Sequence, residues 1–173
     1  VSEKLIEFYA KIAKGKPGLI FTGHMYVEID GQYAPFQTGI TLENELERLK
    51  LLTSVVHKFD VPIIAELSHC GSQTMMSNVV TKSPSILPNL IYGNQPCELS
   101  ETEIQEIIEK FKISASIAMK AGFDGIHIHG GNGYLISQFS SPISNNRKDK
   151  WGGNERNRDR FFIEIYKAIR KEI

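Results

Sequence analysis

The sequence predicts an α/β fold in which a parallel β-sheet is flanked by helices. Helical and strand patterns alternate along all 173 residues, in the order helix, strand, helix, strand, helix, strand, helix. Strict alternation implies parallel strands joined by right-handed crossovers. The strand segments are short apolar runs, as expected of strands buried on both faces. The length suits a single domain that spans residues 1–173.

The first helix and the first strand have residues at their ends that favour these boundaries. Ser2 can cap a helix whose apolar residues fall on one face and which ends at Gly15. The apolar run from Gly18 to Gly23 then predicts a buried strand between two glycines. We expect a loop after it, because three residues that interrupt regular structure come next. They are Gly31, Pro35 and Gly39.

The second helix and strand follow the same pattern. Thr41 is predicted to open a helix with apolar residues at helical spacing along its inner face. The strand predicted after this helix runs from Val61 to Leu67. Pro62 stands at its entrance, where a missing backbone N–H is tolerated. The inner-face residues of the helix are Leu42, Leu46, Leu49, Leu52 and Val56.

The third strand lies behind a long segment without periodicity. From His69 to Leu99 no helix or strand pattern is visible, and a loop of that length is usually a lid or a binding segment. Ser100 to Glu103 then has the sequence of a capping box, which predicts a helix that ends at Gly122. A strand from Phe123 to His129 and a helix from Asn154 to Ile173 complete the pattern.

Composition and charge exclude several classes of protein. Twenty basic residues balance twenty acidic ones, so no net field attracts nucleic acid or an anionic membrane. No apolar run approaches the roughly 20 residues needed to span a bilayer. The two cysteines, Cys70 and Cys97, have no CxxC spacing and suggest no disulfide framework. We therefore expect a cytoplasmic protein that acts on a small molecule.

Polar residues follow each of the three predicted strands. The clusters are Gly23–His24, Glu66–His69 and His127–Tyr134. Functional residues of parallel sheets gather at the carboxyl ends of the strands and in the loops behind them. The sequence therefore predicts that these three clusters form one site.

The third cluster carries a resemblance to a known family. Residues Ala121 to Leu135, AGFDGIHIHGGNGYL, are similar to the signature of the Old Yellow Enzyme family of FMN-dependent ene-reductases and NADH:flavin oxidoreductases. In that family a strand ends in His, followed three residues on by His or Asn and two further on by Tyr. Similar residues occur on both sides of this segment, at Ser83–Ser85, Pro96, Glu98–Ser100, Gln138–Phe139, Ser141–Pro142, Asn146–Arg147, Asp149, Trp151–Gly153 and Asn157–Phe161.

The resemblance implies a partial (β/α)8 TIM barrel with about strands two to four and their flanking helices. A whole barrel has eight strands in about 250 residues, so the chain is expected to be incomplete at both ends. The strand that contacts the flavin ring would precede Val1, and the phosphate-binding loops would follow Ile173. The implied enzyme passes hydride from NADH or NADPH through FMN to an activated alkene, such as an α,β-unsaturated carbonyl compound. We expect the fragment alone to be inactive and to form a homo-oligomer, because exposed sheet edges promote association.

The resemblance also assigns the catalytic residues. His129 and Asn132 would donate hydrogen bonds to the substrate carbonyl, where negative charge develops, and Tyr134 would protonate the alkene carbon. Each residue has a structural alternative. His129 could bond backbone at a strand end, Asn132 could serve only the turn, and Tyr134 could belong to the core.

The implied flavin and substrate contacts include departures from the family. Glu66, Gly23 and His24 would contact FMN, although Glu66 stands where the family usually has Gln and His24 where many members have a small residue. A carboxylate could only accept from an N–H of the flavin ring, so either the flavin contact is altered or Glu66 is protonated. His127 replaces a residue that is usually acidic, and strand alternation places it on the same side as the histidine two residues on. His69 would contact substrate, or else anchor the backbone of the long loop.

Two other classes remain open from the sequence. The His127-x-His129 pair, with His24 and His69 on neighbouring strand ends, could hold a metal as in barrel hydrolases. No matched carboxylate ligand accompanies the pair, so the preferred interpretation assigns no metal ligand. The chain could also be a non-catalytic fragment.

Overall fold

The computed structural model describes residues 1–41, 45–77, 79–89 and 91–173. A short 3₁₀ turn covers Ile29–Gly31. None of the helices in these ranges is long and apolar enough to cross a membrane. The helices and strands are α1 (Glu3–Lys14), β1 (Ile20–Phe21), β2 (Met25–Tyr26), α2 (Leu46–His57), β3 (Ile63–Ser68), β4 (Lys82–Ser83), β5 (Cys97–Glu98), α3 (Glu101–Lys120), β6 (Gly125–Ile128), α4 (Leu135–Ser140), α5 (Glu155–Arg158) and α6 (Arg160–Glu172).

A parallel sheet with β3 at its centre confirms the predicted topology. β1 and β2 pair with one edge of β3, and β6 pairs with the other. Phe21 is opposite Ile64 and Met25 is opposite Leu67. The first strand therefore advances four residues while β3 advances three. The extra residue is a β-bulge, which bends a strand and re-aims its side chains.

The helix ends predicted from capping residues are confirmed. The Ser2 hydroxyl accepts a hydrogen bond from the backbone N–H of Leu5 at 3.2 Å and opens α1. Ser100 and Glu103 form a reciprocal capping box at the start of α3. Gly122 follows α3 with φ +87°, a left-handed conformation that favours glycine.

The helices cover the sheet and bury its apolar residues. α1 packs against α2 and α3 packs against α6, while α3 also contacts β3 and β6. Behind α4, the ring centroids of Phe139 and Phe161 lie 4.3 Å apart in a stacked pair, and Trp151 packs edge-on against both. Because all three rings are almost fully buried, they fix α4 to α6 and hold the segment that follows β6.

Some predicted boundaries differ from the structure. The first strand was expected to end at Gly23, but pairing with β3 resumes at Met25. Thr41 is not helical, and α2 begins at Leu46. The segment before Thr41 is held extended, because the Ile40 N–H donates to the Tyr26 carbonyl at 3.0 Å. The predicted inner-face residue Leu42 lies outside the described residues.

Other differences concern short elements. α4, which begins directly after Tyr134, was not predicted. The predicted helix from Asn154 to Ile173 is divided into α5 and α6 at Asp159, and the long loop contains the short parallel pair β4–β5. Arg147 ties that loop down, since its guanidinium donates to the carbonyls of Pro84 and Leu99 at 3.1 and 2.6 Å.

Candidate functional site

The three polar clusters converge at the carboxyl ends of the strands. Glu66 lies on the central strand β3, between His24 in the bulge of the first strand and His129 just after β6. The rings of His24 and His129 are nearly parallel, at 14°, with centroids 5.4 Å apart. The ring of Tyr134 contacts both, at centroid distances of 5.3 and 5.0 Å. The predicted convergence is therefore confirmed.

One carboxylate oxygen joins the two histidines of the HxH sequence. Glu66 Oε1 lies 2.7 Å from His129 Nδ1 and 3.3 Å from His127 Nδ1. Both histidines thus face the same side of β6, as alternation predicted. A carboxylate therefore does accompany the pair, contrary to the expectation from the sequence. In the ranges that the structure describes, no group of three His, Cys, Asp or Glu side chains is arranged to hold a metal ion.

The other ring nitrogen of His129 is buried without a hydrogen-bond partner in the described part of the chain. A carboxylate can only accept hydrogen bonds, so the proton between His129 and Glu66 belongs to Nδ1. Nε2 is then the ring atom left for a ligand. An unpartnered buried polar atom costs about 1–3 kcal/mol, which favours a ligand atom at this position.

Tyr134 presents its hydroxyl inside the same cluster. The residue is only 5% exposed, because it packs against His24, His129 and Tyr33 at the start of α4. Burial raises the pKa of Tyr134 to about 12, with a smaller contribution from Tyr33. The hydroxyl therefore carries its proton at neutral pH and can act as a donor.

Asn132 occupies the turn before Tyr134. Its φ is +57°, a left-handed conformation that asparagine tolerates, and its side chain is on the exposed surface. The side-chain amide of Gln73 donates to the carbonyls of Asn132 and Gly133, at 3.0 and 2.9 Å. Asn132 thus has the predicted turn role, and its contact with a substrate carbonyl stays a prediction.

The bulge positions Gly23 and His24. The Gly23 N–H donates to the Tyr9 hydroxyl at 2.7 Å, so this amide is already satisfied. His24 Nδ1 lies 2.9 Å from Gln37 Nε2 and 3.0 Å from Ser68 Oγ, which fixes the ring. Burial lowers the pKa of His24, and the adjacent His129 lowers it further. The ring is therefore neutral at pH 7, and the flavin contacts of both residues stay predictions.

His69 is buried beneath the site. Its Nδ1 accepts the backbone N–H of Gly71 at 3.0 Å, which leaves the proton on Nε2. That nitrogen lies 3.3 Å from Glu28 Oε2, and Glu28 also pairs with Lys110. The bond from Gly71 supports the anchoring alternative for His69, and Nε2 makes no hydrogen bond in the described part of the chain, so contact with substrate stays a prediction.

Two tyrosines that sequence reasoning missed complete the cluster. The hydroxyls of Tyr33 and Tyr92 lie 2.8 Å apart, and the Tyr33 ring contacts Tyr134 at 5.7 Å and His24 at 6.1 Å between centroids. Both tyrosines come from irregular loops. Aromatic character was the only available signal, since no periodicity there predicts which way a side chain faces.

Comparison with known proteins identifies the family. A sequence profile of the NADH:flavin oxidoreductase / NADH oxidase family matches residues 1–173. The chain is 37% identical to an NADH oxidase of Thermoanaerobacter brockii, covering 100% of this chain and 27% of the oxidase. It is 38% identical to an NADPH dehydrogenase of Clostridium acetobutylicum, covering 94% of this chain and 48% of the dehydrogenase.

A solved structure supports the same assignment. The old yellow enzyme homologue of Zymomonas mobilis superposes with a TM-score of 0.91 and 28% identity, covering 99% of this chain and 51% of the homologue. The fold is therefore part of a TIM barrel, as the resemblance implied, and the chain spans between a quarter and about half of these relatives. The chain belongs to the NADH:flavin oxidoreductase / NADH oxidase family, which includes the old yellow enzymes.

Proposed function

We propose that the protein is an FMN-dependent oxidoreductase that passes hydride from NADH or NADPH to an activated alkene such as an α,β-unsaturated carbonyl compound. The observation that carries the proposal is the buried, unpartnered Nε2 of His129 beside the protonated hydroxyl of Tyr134. Reduction of an α,β-unsaturated carbonyl compound needs a group that holds the carbonyl oxygen. It also needs an acid that protonates the alkene carbon that receives no hydride.

The residues at the strand ends fit a bound flavin ring. Glu66 on β3 and His24 in the adjacent bulge place polar groups at the carboxyl end of the sheet, where a polar, planar ligand can use them. Glu66, Gly23 and His24 are the candidates for holding the ring. When bound, FMN supplies the hydride and is recharged by the nicotinamide, while the protein contributes orientation and electrostatics.

Different side chains bind the substrate carbonyl and donate the proton. His129 and Asn132 hold the carbonyl oxygen and stabilise the negative charge that develops there. Tyr134 donates the proton of its hydroxyl to the carbon that receives no hydride. The rings of Tyr33, His24 and His129 pack against the Tyr134 ring and hold it in place for this step.

The proposal is tested on the full-length protein, purified without added cofactor. Flavin absorbance, and NADH or NADPH oxidation that depends on an added enone, are the expected results. A saturated ketone is the matched control substrate and should not accelerate nicotinamide oxidation. Stoichiometric zinc without flavin would contradict the proposal and favour the metal-dependent hydrolase.

We also propose a cytoplasmic, homo-oligomeric protein that binds neither nucleic acid nor membrane. Cys70 and Cys97 are free thiols, in keeping with a reducing compartment. Fractionation of cells and sedimentation of the purified protein test these points.

A further inference from the structure

We propose that Gln73 is a positioning residue for the reaction, because its side-chain amide holds the turn that carries Asn132 and leads into Tyr134. Gln73 lies in the long loop that follows β3. This inference rests on the proposed function, since the two residues that it positions are the proposed carbonyl donor and the proposed acid. It adds a residue that acts on the substrate only through the turn.

One side-chain nitrogen serves two carbonyls of the turn. Gln73 Nε2 donates to the carbonyl oxygens of Asn132 and Gly133, at 3.0 and 2.9 Å. An amide nitrogen has two N–H groups, so each carbonyl can receive one. No other donor reaches the Asn132 carbonyl within the ranges that the structure describes. The amide lies so close to Gly133 that a Cβ atom there would overlap with it.

The turn needs such a contact because its backbone is in an unfavourable conformation. Asn132 has φ +57° and Gly133 has φ +70°, so two consecutive residues are left-handed. Asparagine tolerates this conformation better than most residues, but it persists only where the surroundings hold it. The side chain of Asn132 is exposed and adds no packing that could do so. The bonds from Gln73 supply the missing restraint.

Gln73 is itself fixed by its neighbours in the long loop. On one side, the Ser72 N–H donates to Gln138 Oε1 at 3.3 Å. On the other side, the Thr74 hydroxyl donates to the Gln32 carbonyl at 2.8 Å. Both neighbours are buried. The amide of Gln73 therefore extends from a backbone that is anchored at two points.

The opposite side of the turn is held by α4. Gln138 Nε2 donates to the Gly133 carbonyl at 2.7 Å, and the Tyr134 N–H closes the turn on the Gly131 carbonyl at 3.1 Å. Because Tyr134 follows Gly133 directly, an altered turn would displace its hydroxyl as well as the Asn132 side chain. A displacement of about 1 Å at a reacting group can cost on the order of 10² in rate.

The two carbonyls define what position 73 requires. Carbonyl oxygens only accept, so the side chain here must donate. Glutamate keeps the shape of glutamine but would place a carboxylate against two acceptors, and leucine has no donor. Lysine differs in shape but has three N–H groups on one nitrogen and can reach both oxygens. These replacements therefore separate hydrogen-bond donation from shape.

The test compares wild type with Gln73→Leu, Gln73→Glu and Gln73→Lys in the flavin-loaded, full-length protein, with cyclohexenone as the alkene and rates expressed per bound flavin. We expect kcat/KM for cyclohexenone to fall by about tenfold or more in Gln73→Leu and Gln73→Glu. Gln73→Lys should remain within about threefold of wild type, because it keeps the donor. Gln105→Leu is the matched control. Its amide donates to Glu101 on the surface of α3, and its loss should leave kcat/KM unchanged.

Hydrogen exchange of the Tyr134 backbone amide gives a second readout, which does not depend on activity. This N–H closes the turn, so it should exchange faster in Gln73→Leu and Gln73→Glu than in wild type. In Gln73→Lys the exchange rate should stay near that of wild type. A merely structural role would lower the free energy of unfolding of the variants and leave kcat/KM per flavin unchanged.

Two results would overturn the inference. One is a wild-type kcat/KM in Gln73→Leu and Gln73→Glu, whatever their exchange rates. The other is an equal loss in Gln73→Lys and Gln73→Leu, which would assign the effect to shape rather than to donation. Failure of the proposed function would look different. Wild type itself would then bind no flavin or show no nicotinamide oxidation that depends on the enone, while exchange at Tyr134 would still report whether Gln73 holds the turn.

Discussion

Replacement of Glu28 by glutamine should show how much the charge of this carboxylate, which contacts His69 and Lys110, contributes to the free energy of unfolding. Glu28 comes directly before the 3₁₀ turn, and its side chain is 9% exposed. Burial alone would raise the pKa of this carboxyl, but the contacts with His69 and Lys110 outweigh burial and lower it from 4.5 to about 2. Lys82 Nζ adds a weaker attraction at 3.8 Å. The charged form is thus the one that the folded protein favours.

The magnitude and its pH dependence follow from this shift. Folding lowers the pKa of Glu28 from 4.5 to about 2. Since each pKa unit corresponds to about 1.4 kcal/mol, the charge of Glu28 contributes up to about 3 kcal/mol to the free energy of unfolding. Because the folded pKa is depressed, that stability is fully present above pH 4.5 and is lost as the pH falls towards 2. Glu28→Gln resembles the protonated state at every pH. Wild type should therefore exceed the variant by up to about 3 kcal/mol at pH 7, and the difference should shrink steadily in acid.

Denaturant unfolding of the full-length protein at a series of pH values between 7 and 3 measures this difference. Glu47→Gln is the matched control, since Glu47 pairs with Lys50 on the surface and is 81% exposed. Its effect should stay well below about 1 kcal/mol. A stability difference for Glu28→Gln that is the same at every pH would refute the reasoning, because it would place the contribution of Glu28 in packing rather than in charge.

Three other predictions concern the acid, a helix cap and the sheet edges. Tyr134→Phe should slow alkene reduction by about 10²- to 10⁴-fold and spare flavin reduction, as measured by stopped-flow absorbance; an equal fall in both half-reactions would remove Tyr134 from the role of acid. Ser100→Ala should lower the free energy of unfolding by about 1 kcal/mol in a denaturant titration, and a loss near zero would mean that the capping box adds nothing. The isolated 173 residues should either self-associate in sedimentation or be poorly stable, and they should fail to retain FMN in a flavin titration, whereas a compact, stable monomer that binds FMN tightly would contradict this expectation.

The parts of the fold that the sequence predicts correctly depend on local or repeating signals. Ser2 and Ser100 cap their helices through residues three positions away, so the signal lies within one turn. The three strands are apolar runs, and parallel topology alone is enough to bring Glu66 and His129 to the same edge of the sheet, whereas His24 reaches them through the bulge, which the sequence did not predict. These features need no knowledge of distant contacts.

The parts that were missed depend on contacts between distant residues. α4 has six residues, too few for a helical period to be visible. The role of His69 depends on Glu28, which lies on another segment of the chain. Tyr33 and Tyr92 enter the cluster from separate loops whose paths are set by tertiary packing. Such positions follow from the three-dimensional arrangement and leave no periodic trace in the sequence.

The bulge in the first strand limits how this sequence can evolve. Between Phe21 and Met25 the strand has one residue more than the facing part of β3. A deletion of one residue there would allow an uninterrupted ladder, which backbone pairing alone would favour. It would also re-aim His24, because a one-residue shift turns a side chain to the other face of a strand. A change of length at residues 22–24 would therefore alter the site itself, and an alignment gap at this point would mark a relative with a differently built site.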